Sequence, residues 1–174
     1  MKTSSTSAAT RSSRLSRLAG GVTFAAALAM MAWLAVPVSA HHSFSMYDDK
    51  KIKVFTGVVT RVNPDVNHLQ IFFAVMNEER TNVVRDAKNQ PVIWAVEMAG
   101  SAQAAQQGIS VNSFPPKTVF SVALKPLRDG QPAGSREGAL FKCPANTPPK
   151  AGKHCDSVEG NQVFGNGPLP TPTS

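Results

Sequence analysis

From Ile52 to Val62 the chain alternates strictly, with Ile52, Val54, Val58 and Val62, and Thr56 and Thr60 between them, set against Lys51, Lys53, Phe55, Gly57 and Arg61. A period of two held for so many residues predicts one long strand with a single buried face. Gly57 sits in its middle, and a residue without a side chain lets a strand bend sharply or bulge. The long, bent strand is the frame for everything that follows. Asn63-Pro64-Asp65 breaks it.

A second strand is predicted from His68 to Met76, with Leu69, Ile71, Phe73 and Val75 on one face and His68, Gln70 and Phe72 on the other. Asn77 to Gln90 is polar and charged, and reads as a protruding hairpin loop. Val92 to Met98 makes a third strand, Val92, Trp94, Val96 and Met98 facing one way and Ile93, Ala95 and Glu97 the other. A short helix follows, capped by Ser101, favoured by Ala102, Ala104 and Ala105, and ended at Gly108. Thr118 to Leu124 is the fourth strand, stopped by Pro126, and Arg136 to Lys142 a weaker fifth. Three strands, a helix and two more strands is the order of a small five-stranded OB-like barrel, an all-β fold with one short helix. An open antiparallel β-sandwich leaves much the same pattern and stands as the alternative.

Residues 1–40 read differently. A Ser-, Thr- and Arg-rich start without acids leads into an apolar run from Val22 to Val38, then into the small residues of Val38-Ser39-Ala40. This is the order of a secretory signal peptide cut after Ala40. No adjacent arginine pair precedes the apolar run, which favours the general secretory route. The expectation is a periplasmic or secreted protein, attached to a membrane only if the leader is not cleaved. Four of the 18 basic residues lie in this leader, so the formal charge of +7 falls to +3 in the remainder, 14 basic residues against 11 acidic. So small and scattered an excess gives no reason to expect a nucleic-acid partner.

The two cysteines, Cys143 and Cys155, predict one disulfide in an oxidising compartment, closing a loop over residues 143–155. The competing reading takes Cys143, His154 and Cys155 as soft metal ligands, at a spacing that matches no zinc module. Residues 156–174, with Gly165-Asn166-Gly167-Pro168 and Pro170-Thr171-Pro172, read as a flexible tail.

Several segments together resemble an uncharacterised family of exported bacterial proteins, a domain of unknown function whose mature chains begin His-His-Ser-Phe. They are His41-His42-Ser43-Phe44 after the leader, Phe55-Thr56-Gly57-Val58-Val59, Asn63-Pro64, Trp94-Ala95-Val96-Glu97, the helix ending at Gly108, and Pro126-Leu127-Arg128-Asp129-Gly130. In that family Asn-Pro is usually followed at once by His; here Asp65 stands in that place and the histidine comes at His68. The resemblance implies export and a small β domain, and no reaction.

Cleavage after Ala40 would make His41 the first residue, offering a metal both its free amine and its imidazole. Copper(II) prefers nitrogen ligands and heads the divalent affinity order, and the terminal amine has a pKa of about 7.7 to 8.0, low enough to lose its proton to a metal near neutral pH. His42 adds a third nitrogen, and His68 and Glu97 are candidates to complete the set. The bland alternative is that His41 and His42 are polar residues of a new terminus. No His-Glu-x-x-His, Gly-x-Ser-x-Gly, Gly-x-Gly-x-x-Gly or P-loop motif occurs, so no enzyme is predicted and no cofactor beyond copper. The second functional expectation is a protein or glycan ligand held on an OB-like face by Phe72 and Phe55, on the faces read as less buried.

Overall fold

Strand β1 (Lys53–Pro64) is the longest element, and it pairs antiparallel with β2 (Leu69–Val75) on one edge and β4 (Val119–Pro126) on the other. The computed structural model describes residues 44–65 and 67–174, which belong to one compact unit, Ser43–Ser174. The leader, His41 and His42 lie outside the described residues. β2 pairs with β3 (Ile93–Glu97), β4 pairs with β5 (Ala133–Lys142), and β3 runs parallel to the start of β5 through Ala95–Ala133, Val96–Gly134 and Glu97–Ser135. That last pairing closes the sheet on itself. The result is a five-stranded barrel with helix α1 (Ser101–Gln106) between the third and fourth strands, as expected, and the open sandwich is excluded. A sixth strand, β6 (Gln162–Phe164), adds to the free edge of β5.

The barrel interior is filled by Leu69, Ile71 and Phe73 from β2, Val96 from β3, and Phe120, Val122 and Leu124 from β4, all essentially inaccessible to water. These are the predicted faces of those three strands. β1 departs from its reading. Phe55 and Val59, not Val54 and Val58, pack against the core. Between Val59 and Arg61 the register against β2 slips by one residue, so Thr60 is a bulge, and after it Val62 takes the inward phase. The bulge is three residues beyond Gly57, whose role is close approach. A Cβ there would overlap the ring of Phe73 and lie 2.9 Å from the carbonyl oxygen of Ala74.

Thr56, on the even face of β1, is covered from outside by another layer, which is why alternation alone misassigned that face. Cys143 and Cys155 form the predicted disulfide, with sulfurs 2.07 Å apart, so neither supplies a thiolate to a metal. The segment it closes lies against β1 and β4. Thr56, 1% exposed, bonds through Oγ1 to Ser121 Oγ at 2.7 Å and to His154 Nδ1 at 2.8 Å, and the amide of Cys155 donates to Ser121 Oγ at 2.8 Å. Both hydroxyls are sealed beneath the segment, so this hydroxyl–imidazole contact is a clasp and not an accessible nucleophile–base pair. The hairpin loop after β2 grips the same segment, with Arg80 Nε donating to the carbonyl of Lys153 at 2.9 Å.

The His154 imidazole is held below its ordinary pKa, first by burial and then by the positive charge of Arg80, with Asp156 acting in the opposite sense. The unfolded chain therefore takes up this proton at a higher pH than the folded one, and acid favours unfolding. The contribution is complete above about pH 6.5 and is lost as pH falls below it toward the lowered folded value. The unfolding temperature of the parent should fall more between about pH 7 and about pH 5 than that of His154→Gln. Parallel curves for the two proteins would sink this assignment.

Two local expectations are corrected. Ser101 does not cap α1: the cap position is Gly100, without a side-chain bond, and Ser101 Oγ donates across to the carbonyl of Asp65 at 2.6 Å, tying the helix start to the β1–β2 turn. The segment read as a flexible tail carries β6, packs Leu169 against the disulfide, and bridges Thr173 to Ile52. Proline and glycine content marks a chain that builds little structure of its own, but says nothing of an edge that holds it.

Candidate functional site on the outer β2–β3 face

Because side chains alternate across a strand, His68 just before β2 and Gln70 and Phe72 within it point outward, as do Ile93, Ala95 and Glu97 of β3. The register places Gln70 opposite Glu97 and Phe72 opposite Ala95. Glu97 is the centre of the group. Its Oε1 accepts the hydroxyl of Tyr47 at 2.9 Å and lies 3.2 Å from His68 Nδ1, and its Oε2 accepts the amide of Gln70 at 3.1 Å. Tyr47 is buried and enters from the segment before β1, held by a bridge to Leu127. Its hydroxyl is pushed above the ordinary tyrosine value, first by burial and then by the hydrogen bond and the charge of Glu97, so it stays a donor across the working pH range.

The consequence for His68 is chemical. A carboxylate beside Nδ1 favours an imidazole that keeps a proton there and its lone pair at Nε2. The His68 side chain is 35% exposed and Glu97 28%. Glu97 thus accepts hydrogen bonds from Tyr47 and Gln70 and lies in contact with His68. Asp65, in the β1–β2 turn, accepts the amide of Asn67 on its Oδ1 at 2.8 Å.

Sequence reasoning paired His68 with Glu97, and the structure brings the two into contact. The two residues named for a ligand face do not share a face. Phe55 lies at the inner edge of the barrel, its ring 4.6 Å from Trp94 and 5.9 Å from Phe73. Phe72 is outward, with the guanidinium of Arg61 stacked 3.5 Å above its ring. Beside Phe72 a cleft of about 300 Å³ runs past Ile93, Trp94 and Ala95 to Gln131 and Pro132 of the β4–β5 loop and Ala133 at the start of β5.

Tyr47, Gln70 and Arg61 were missed. Gln70 carries a local signal, since it is two residues from His68 on the same strand face. Tyr47 lies 50 residues from Glu97, and no local pattern connects them. Among the described residues no three of His, Cys, Asp and Glu are grouped as a metal cage, and His41 and His42 lie outside those residues. No helix among the described residues is long and apolar enough to cross a membrane.

No curated protein and no solved structure matches the chain. Residues 28–136 match the model of a family of unknown function, a span that takes in the site and the barrel through the first part of β5 and leaves out the disulfide segment and the tail. The chain therefore belongs to that family, DUF6152.

Proposed function

We propose that this is an exported domain, periplasmic or secreted, that captures a nitrogen-preferring metal ion, copper(II) foremost, without turning over a substrate. The observation that carries the proposal is the 3.2 Å contact between His68 Nδ1 and Glu97 Oε1, the carboxylate–histidine arrangement that prepares a ring for metal ligation through its other nitrogen. The terminal histidines His41 and His42 supply the remaining nitrogens in this reading, on the strength of the leader that precedes them. The disulfide is compatible with an oxidising compartment.

The test begins with the intact mass of the exported protein, expected to show a first residue at His41, followed by copper(II) titration. His68→Ala is expected to weaken binding, and Glu97→Gln to weaken it about 10- to 100-fold, the usual cost of losing an outer-shell carboxylate. An added residue before His41 should remove the terminal chelate. Unchanged affinity in His68→Ala would remove the internal nitrogen from the site. A terminus other than His41 would remove the chelate.

A second reading, a protein or glycan ligand on the same outer face, is favoured by the Arg61–Phe72 stack beside the cleft. In that case Phe72→Ala abolishes ligand binding and leaves copper affinity unchanged.

A further inference from the structure

The backbone groups of β1 face alternately toward β2 and β4. Val59 bonds to Thr118 and Lys117 on the β4 side, while Thr56 accepts from Met76 on the β2 side, so the even residues Ile52 and Val54 face the β2 edge. The β2 register begins only at Gly57. The start of β1 therefore projects past the end of β2 as an exposed strand edge, the kind of edge that extended segments join.

One such segment is already there. Thr173 pairs antiparallel with Ile52, its amide donating to the Ile52 carbonyl at 3.0 Å and its carbonyl accepting the Ile52 amide at 3.4 Å. Its hydroxyl accepts from the same amide at 2.9 Å and donates to the carbonyl of Lys50 at 3.2 Å. Pro172, Thr173 and Ser174 also form one wall of a cleft of about 540 Å³, whose other wall is Ile52, Lys53, Val54, Phe55 and Trp94. The ammonium of Lys53 lies 4.9 Å above the Trp94 ring. An aromatic floor beside an open strand edge suits an extended segment with proline next to a hydroxyl residue, which is rigid before it binds.

We propose that this edge is a strand-addition site for an extended proline–threonine peptide, and that the chain's own Pro172–Thr173 occupies it as an internal ligand. A partner segment of the same chemistry binds by displacing the tail. The inference is independent of metal binding, since none of its residues belongs to the His68–Glu97 group.

The test uses the full chain and the synthetic peptide Pro-Leu-Pro-Thr-Pro-Thr-Ser, the sequence of residues 168–174. Thr173→Pro removes both the amide and the hydroxyl that hold the tail; Thr173→Ala removes the hydroxyl alone and serves if the proline variant does not fold. The peptide is expected to bind Thr173→Pro at least about tenfold more tightly than the unaltered chain, the scale of losing two or more competing hydrogen bonds. Amide shifts should be confined to Ile52–Phe55 and Trp94, and a peptide with alanine in place of its second threonine should bind more weakly. Absence of binding to a folded variant, equal binding to variant and parent, or indifference to the threonine overturns the proposal. Self-association of the unaltered chain that Thr173→Pro abolishes assigns the edge to the tail of a second copy, and overturns the internal form.

Discussion

Phe73→Ala is expected to destabilise the domain by about 3–5 kcal/mol, the range for truncating a buried aromatic. Phe73 has no accessible surface and lies at the meeting point of the barrel core. Its ring stands edge-on to Phe120 with centroids 5.3 Å apart, and the Phe55 ring lies 5.9 Å from it. Closed strands cannot move together to fill the gap, so most of the cavity should persist. Against a total stability of about 5–15 kcal/mol for a domain of this kind, the loss is large. Urea unfolding measures it, and a loss below about 1.5 kcal/mol would show that the ring is not central. The same ring explains Gly57. A Cβ at Gly57 overlaps it, so Gly57→Ala should cost about 1–3 kcal/mol alone and clearly less when Phe73 is alanine. Strict additivity of the two changes would contradict the packing.

Replacing both cysteines with alanine should cost about 2–4 kcal/mol, since the bond closes a loop between residues 12 apart in the sequence and otherwise free to spread in the unfolded chain. The loss should also be uneven. Cys143 and Cys155 pack with Ala139, Phe141 and Leu169 in a cluster of their own, outside the barrel core. Hydrogen exchange should therefore quicken over residues 143–164 while amides of Ile71, Phe73 and Phe120 keep their protection. Uniform loss across the barrel would mean that the disulfide segment is part of the barrel's cooperative unit rather than a layer laid over it.

Much of the architecture was legible before any coordinates. Leu69, Ile71 and Phe73, Trp94, Val96 and Met98, and Phe120, Val122 and Leu124 each announce their inner face, because these positions are apolar at every second residue while the facing positions mix polar, small and apolar side chains. β1 was misread for a physical reason. Thr56 is as buried as Val59, but beneath the disulfide segment rather than inside the barrel. Alternation reports that a face is covered and not what covers it. The fifth strand was recognised from Arg136 onward. Its missing start, Ala133, Gly134 and Ser135, is the stretch that pairs with β3 and closes the barrel. Three small residues carry no hydrophobic pattern to read.

The candidate site divides in the same way. His68 and Glu97 were chosen for their chemistry, and the β2–β3 register made them neighbours. Tyr47 and Arg61 entered only with the fold, the first across 50 residues of sequence and the second by stacking on a ring of the facing strand.

By itself the sequence determined the five strand segments of the barrel in outline, where the helix falls, the disulfide, and the order that makes an OB-like barrel. All of these rest on local periodicity, turn residues and cysteine chemistry, which act over a few positions or require only two partners. The tertiary structure alone decided that β3 and β5 close the sheet, that Glu97 is spent on Tyr47, Gln70 and His68, and that a proline-rich tail lies on the edge of β1. Each of these depends on backbone or side-chain groups brought together across long stretches of chain. The geometry that satisfies them exists only once the barrel has formed.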